Sequence, residues 1–182
     1  MLEKKMTLFV PKALYENEIT IVLDEIRYSY GMLTRRGYIY GLIAIDQDAK
    51  IIAIDSRFDR KLNYWDLSSI GAALYGVARQ AQDFFETDSL IRATLIYKDL
   101  QLYVKSIGDV MLHKKGKREI LVVLLVDNMV NIGVLILQMR KFSQKIKEAI
   151  TRSQTIMTKL QMTERELKEY LRELKKKVFQ SA

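Results

Sequence analysis

The chain has 182 residues, of which 49% are hydrophobic and 29% charged, enough for one hydrophobic core of ordinary domain size. It contains no cysteine, which excludes disulfide bonds, thiol catalysis and thiolate metal sites. Residues 141–182 hold 11 Lys and Arg against 5 Asp and Glu, so +6 of the net charge of +8 lies in the C-terminal tail. Such a tail can contact nucleic acid, an anionic membrane or an acidic partner, or it can be a solvated helix face.

The N-terminal residues 1–12 include one apolar run, "MTLFV" (6–10), which is too short for the core of a signal peptide. We therefore expect a cytoplasmic protein in which residues 1–12 form an arm. Residues 12–30 repeat apolar side chains at helical spacing, with Pro11 suited to the first turn and Gly31 to the end of the helix.

A β-hairpin and a second helix are predicted next. Residues 38–45 and 50–56 are rich in Ile, and four residues separate them, although Ala49 stands where a turn Gly is common. Asp66 is the predicted N-cap of the second helix. The predicted core stripe of that helix is Leu67, Ile70, Leu74, Val77, Ala78, Ala81, Phe84 and Phe85. A mid-helix Gly costs about 1 kcal/mol relative to Ala, so Gly71 and Gly76 predict a close approach, either by another chain or by the domain's own sheet.

Residues 89–97 and 101–107 predict a second hairpin, which Gly108 interrupts with a bulge or break before a turn at 114–117. In its first strand one face carries Leu90, Arg92, Thr94 and Ile96.

The most apolar segment, residues 120–137, has two interpretations. A membrane span needs about 20 apolar residues and would bury Asp127 near mid-bilayer, at a cost of roughly 3 kcal/mol. A buried strand, a turn at Asp127 and Asn128, and a helix that begins after Asn131 explain the same residues without that cost. We predict the strand, turn and helix.

The predicted order is α-β-β-α-β-β-β-α, an α+β fold with a five-stranded, mostly antiparallel sheet and a long C-terminal helical extension. Helices one and three should cover one face of the sheet and helix two the other.

Three segments resemble the Roadblock/LC7 family: "YGLIAIDQDAKIIAID" its first hairpin, "DLSSIGAALYGVARQAQDFF" its second helix, and "ILVVLLVDNMVNIGVLILQMRK" its last strand, turn and helix. The resemblance covers about residues 14–150 and is to the small-GTPase-associated type found in archaea and bacteria. It implies a domain at 13–150. Residues 151–182 have no counterpart in a minimal domain of the family, and they are predicted to form an amphipathic or coiled-coil extension.

The resemblance also implies a non-catalytic module that forms a homodimer by joining third strands, with the second helices adjacent. Mapped onto this sequence, the implied interface consists of Gly71, Leu74, Gly76, Leu90, Arg92, Thr94 and Ile96. The implied partner is a small Ras-like GTPase, which the protein would scaffold or regulate.

No catalytic constellation stands out. His113 is the only histidine, and a lone histidine by itself supplies neither a metal cluster nor a complete Ser-His-Asp triad. Asp46, Asp48 and Asp55 surround the first hairpin, where they hold a cation or serve the turn itself. No phosphate-binding glycine motif occurs, so we expect no cofactor and no enzyme activity.

The tail carries apolar residues in 4-3 alternation without Gly or Pro across 134–182, which predicts one continuous helix. Its seam comprises Ile150, Met157, Leu160, Leu167, Leu171, Leu174 and Val178. The seam is expected to pack against a helix of the sister protomer or of a target, while a fold-back onto its own domain is the alternative. The competing function is an adaptor that uses this basic helix to bind nucleic acid or an anionic membrane surface.

Overall fold

The computed structural model describes the backbone of residues 12–180 and the side chains of residues 12–177. The arm before residue 12, including Pro11, and the side chain of Val178 lie outside the described residues. A single turn of 3₁₀ helix at Lys12–Tyr15 comes first. The helices are α1 (Glu18–Leu33), α2 (Tyr64–Phe85), α3 (Ile132–Arg152), α4 (Gln154–Gln161) and α5 (Glu164–Gln180). The strands are β1 (Ile39–Asp46), β2 (Ile51–Ile54), β3 (Ala93–Ile96), β4 (Leu100–Leu112) and β5 (Gly116–Asp127).

The five strands form one antiparallel sheet in the order β2-β1-β5-β4-β3, which confirms the predicted fold class. Central strand β5 is buried from Ile120 to Val126, as its continuous apolar run predicts. The β4–β5 register shifts between Ser106 and Gly108, where Gly108 has φ +102°, so the predicted bulge is present. Ala49 takes the positive φ of 65° that a turn Gly usually supplies.

Two hydrophobic cores flank the sheet. The core on one face contains α1 and α3 residues, including Leu23, Ile26 and Leu135. The core on the other face contains Leu67 and Tyr75 of α2 against Val123 of β5. Helices one and three therefore share a face and helix two covers the opposite one, as predicted.

Helix boundaries differ from the sequence-based expectations. Asn17 caps α1 by accepting from the backbone N–H of Ile19, and the helix passes through Gly31 to end at Leu33, with Thr34 as its C-cap. A single Gly inside a packed helix costs too little to stop it. Asn63, rather than Asp66, caps α2, because its side chain accepts from the backbone N–H groups of the first turn.

The apolar segment is a strand, a turn and a helix. Asp127 ends β5 and accepts from the backbone N–H groups of Met129 and Val130 at 2.9 and 3.1 Å. Asn131 then caps α3 through the N–H of Val134. Within the described residues, no helix is both long and apolar enough to cross a bilayer.

The prediction of one continuous helix from 134 to 182 is wrong. Ser153 ends α3, and its hydroxyl accepts from the N–H of Ile156 to begin α4. A second break follows α4, where Thr163 and Glu166 exchange side-chain and backbone hydrogen bonds as a capping box for α5. Ser and Thr can redirect the chain without Gly or Pro, because their hydroxyls satisfy the backbone donors of a new helix.

Candidate protein-protein interface

Strand β3 leaves one edge of the sheet open. Among residues 12–180 its only neighbour in the sheet is β4, and the backbone N–H of Tyr97 donates to the carbonyl of Leu100 at 2.8 Å. Because backbone groups alternate in an antiparallel pair, Thr94 and Ile96 direct their N–H and C=O groups away from β4. The Ile96 side chain is 70% exposed. An unpaired edge with exposed apolar side chains favours pairing with another strand.

The opposite edge, formed by β2, is covered from within the chain. The side-chain amide of Asn17 donates to the carbonyl of Ile52 at 2.8 Å. The hydroxyl of Thr20 donates to the carbonyl of Ile54 at 2.9 Å. The two sheet edges therefore differ: β2 has its outward carbonyls satisfied, and β3 is available for a partner.

Helix α2 presents four of its bulky apolar side chains to solvent rather than to the core. Ile70, Val77 and Phe84 recur every seven residues on one side of the helix and are 48%, 67% and 86% exposed. The core stripe predicted for this helix is therefore wrong in these three residues and in Phe85. The side buried against the sheet instead carries Leu67, Ser68, Gly71 and Tyr75.

Glycine in α2 explains which side faces the sheet. A Cβ on Gly71 would stand 2.7 Å from a methyl group of Val123 on β5, so the helix can lie this close only on its small side. The close approach at Gly71 is thus to the protein's own sheet, one of the two alternatives. A Cβ on Gly76 would meet nothing within 4 Å, so this position remains open to a partner.

The remaining residues of the implied interface divide into two groups. Leu74 and Leu90 are partly buried against the α2 core. Arg92 and Ile96 are exposed, and Thr94 is half-buried on the free strand. Their intermolecular role stays a prediction.

Two apolar residues that flank β3 are also exposed, although the sequence pattern did not predict it. Ile91 is 70% exposed and Tyr97 is 55% exposed. The side-chain oxygen of Gln82 accepts hydrogen bonds from the backbone N–H groups of Ser89 and Leu90 at 3.1 and 3.0 Å. These two bonds connect the loop before β3 to α2. One feature of the sequence indicates that part of α2 is exposed: the helix carries more apolar residues than one side of a helix on a sheet can bury.

We call the exposed apolar group on α2 and β3 the β3–α2 surface: Ile70, Val77, Phe84, Phe85, Ile91, Ile96 and Tyr97.

The seam of the tail packs on its own domain. Ile150 and Leu160 are buried in the core beneath α1 and α3, and Leu171 is buried in the α2 core. Met157, Leu167 and Leu174 are partly buried. In the single chain the tail folds back onto its own domain, which was the alternative. Packing against a helix of another chain stays a prediction.

The acidic residues of the first hairpin serve structure. Buried Asp55 accepts from the backbone N–H of Leu42 at 2.8 Å and from the Arg27 guanidinium at 2.6 Å. Asp46 accepts from the backbone N–H groups of Asp48 and Lys50, both at 2.9 Å, as turn chemistry requires. Burial raises the pKa of both buried carboxyl groups, and these partners oppose that shift. Across residues 12–177 no cluster of His, Asp and Glu has the composition of a metal site.

Comparison with solved structures identifies the fold as that of Roadblock/LC7 domains. The Roadblock/LC7 domain from Streptomyces avermitilis superposes with a TM-score of 0.58 at 12% identity, over 74% of this chain and 99% of that chain. The gliding protein MglB from Thermus thermophilus gives 0.58 at 16% identity, over 84% and 100%. An MglB with a tetrameric arrangement gives 0.57 at 15% identity, over 81% and 96%. No family model and no curated protein matches the sequence.

Proposed function

We propose that the chain is a non-catalytic, dimeric roadblock-type scaffold or regulator that binds a small Ras-like GTPase. One observation carries the proposal. The family resemblance assigns dimerisation to the third strand and the second helix. In this roadblock-type fold, the third strand has a free edge and the second helix has an exposed apolar outer side. The similarity to an MglB with a tetrameric arrangement supports assembly of more than one copy.

In the proposed dimer, two β3 strands pair about a two-fold axis and extend the sheet across both protomers. The outward N–H and C=O groups of Thr94 and Ile96 then gain partners. The exposed side chains Val77 and Phe84 of the two α2 helices lie next to each other above that joint sheet. Burying Val77 and Phe84, which are 67% and 86% exposed in the single chain, removes apolar surface from water.

The GTPase would bind to the surface that two joined protomers create. The sequence has no phosphate-binding loop, so hydrolysis would depend on catalytic residues of the GTPase. A regulator of this kind acts by ordering those residues, and a scaffold acts by holding the GTPase in place.

The dimer is tested by light scattering of the purified chain. We expect a mass of twice 21.3 kDa at micromolar concentration. Ile96→Lys should shift the protein to monomer, because a charge on the joined edge is desolvated without a partner. Met111→Lys is the matched control, since Met111 is 62% exposed on β4 and lies outside the β3–α2 surface. A wild-type monomer, or an Ile96→Lys dimer, rejects this interface.

The GTPase role is tested separately. The chain alone with GTP and Mg²⁺ should release no phosphate above background. The partner to add is a small Ras-like GTPase, sought first among the genes that neighbour this one, with binding measured by calorimetry and phosphate release by a continuous assay. Loss of GTPase binding in Ile96→Lys, together with unchanged binding in Met111→Lys, would support recognition of the dimer by the GTPase. Turnover that follows the chain through purification without a GTPase would contradict the non-catalytic assignment.

A further inference from the structure

A cluster of cations lies on the α3 side of the β3–β4 edge. Ala93 pairs with Val104, so Arg92 comes opposite Lys105 in the same register. The Lys105 ammonium group reaches across and donates to the carbonyl of Ile91 at 3.4 Å. The sheet thus places the side chains of Arg92 and Lys105 together at the open edge.

Helix α3 adds two more cations along the same line. The Lys147 ammonium group lies over Gly108 of β4, 3.1 Å from where a Cβ would stand. Arg140 lies two turns earlier on the same side of α3, about 10 Å along the helix. Lys105 lies three residues before Gly108, about 10 Å along the strand. Arg140 therefore comes above Lys105, and burial together with the charges of Arg140 and Arg92 lowers the pKa of Lys105. We call Arg92, Lys105, Arg140 and Lys147 the edge patch.

The edge patch has no acidic partner within the described part of the chain. None of its four cations takes part in an ion pair there, whereas Lys145 on the other flank of α3 pairs with Glu25 of α1. Like charges brought together by folding repel one another, and no ion pair among the described residues offsets that repulsion. An anionic partner would remove it.

The exposed neighbours of the edge patch indicate what kind of anion fits. Leu137, one turn before Arg140 on α3, is 60% exposed and lies outside the β3–α2 surface. Tyr103, the aromatic residue beside Arg92, is only 5% exposed and offers no platform on which a base could stack. Cations interleaved with aliphatic side chains complement a peptide that carries both carboxylates and apolar residues.

We propose that the edge patch is a docking surface for an acidic, partly apolar segment of a partner protein. The carboxylates of the segment bind Lys105, Arg140 and Lys147, with Arg92 at the rim, while an apolar residue of the segment covers Leu137. Lys105, Arg140, Lys147 and Leu137 all lie outside the implied dimer interface, so the docking surface goes beyond the proposed GTPase role and does not depend on it.

The test uses the full chain and a short fluorescein-labelled peptide of Glu, Asp and Leu, with binding followed by fluorescence anisotropy. Arg140→Glu and Lys147→Glu should each weaken binding about tenfold, as expected for loss of a close charge pair. Arg165→Glu is the matched control: it changes the net charge equally at an exposed position of α5 and should leave the affinity within about twofold. Circular dichroism and light scattering establish that each variant keeps its fold and oligomeric state.

If Arg165→Glu weakens peptide binding as much as Arg140→Glu does, the peptide is attracted to the overall charge of the protein and the proposal is wrong. Unchanged peptide binding by Arg140→Glu would also overturn it. A labelled single-stranded oligonucleotide that binds the wild type more tightly, through the same arginine, would assign the patch to nucleic acid instead. Carbodiimide cross-linking of the wild type to the peptide needs no variant. Amide bonds should form at Lys105 or Lys147, and bonds confined to Lys114 or Lys115 would place the peptide elsewhere.

Discussion

The ammonium group of Lys50 lies 2.6 Å from the carbonyl oxygen of Met162 and donates a second hydrogen bond to the carbonyl of Leu160 at 3.2 Å. Lys115, from the β4–β5 turn, donates to the same carbonyl of Met162 at 3.2 Å. Carbonyls at the end of a helix have no partner within it, and cations stabilise that end. Two hairpins therefore hold the junction between α4 and α5 against the sheet.

Replacing Lys50 with Met should release this junction. The change keeps most of the aliphatic chain but removes both hydrogen bonds and the 4.0 Å contact with the buried Asp46 carboxylate, which we expect to lower the free energy of unfolding by about 1–3 kcal/mol. Hydrogen exchange in residues 154–177 should become faster as well. Lys61→Met, at an exposed position, is the control and should change stability by less than about 0.5 kcal/mol. Equal stabilities of Lys50→Met and Lys61→Met would show that the junction is held by apolar packing alone.

Truncation after Ile150 should damage the domain. The cut removes Ile156, Leu160 and Leu171, which are 3%, 1% and 2% exposed. Burial of such side chains contributes roughly 1.5–3 kcal/mol each, and a domain's whole stability is about 5–15 kcal/mol. The melting transition of the truncated chain should therefore broaden or disappear in circular dichroism. A longer chain ending at Thr163 retains α4 and should melt between the two.

The domain boundary inferred from the sequence leads to the opposite expectation, that residues 1–150 fold without the tail. A sharp transition of the truncated chain, close to that of the full-length protein, would support the boundary and refute the importance of these contacts.

Local cues account for what the sequence predicts well. Asp127 and Asn131 satisfy nearby backbone N–H groups, so the strand, turn and helix around them can be inferred from a few neighbouring residues. The direction in which α2 faces cannot be inferred in this way, because it depends on Val123, far away in the sequence, meeting Gly71. The tail is ambiguous for another reason: Leu160 and Leu171 satisfy a coiled-coil seam and a fold-back equally well.

The two mid-helix glycines of α2 should respond in opposite ways to Ala. Gly71→Ala places a methyl group 2.7 Å from Val123 and should destabilise the protein by about 1–3 kcal/mol. Gly76→Ala adds a methyl group in open space and should stabilise the helix by about 0.5–1 kcal/mol. Chemical denaturation measures both, and light scattering in parallel shows whether the dimer survives. Loss of the dimer in Gly76→Ala, with the fold intact, would place a partner's backbone at Gly76.

The last prediction concerns alkaline pH and Tyr75. Its hydroxyl donates to Glu119 at 2.8 Å, and burial, followed by that hydrogen bond, raises the pKa of Tyr75 to about 12. An unfolded tyrosine has a pKa near 10. Between these values the folded state keeps a proton that the unfolded state releases, so the stabilisation is complete below pH 10 and is lost as the pH rises towards 12. From pH 9 to 11, the wild type should lose about 1 kcal/mol more of its free energy of unfolding than Tyr75→Phe, measured by urea denaturation. Tyr28→Phe, at a tyrosine that is 70% exposed, is the control and should follow the wild type. Parallel losses in all three proteins would mean that Tyr75 releases its proton as readily in the folded chain as in the unfolded one.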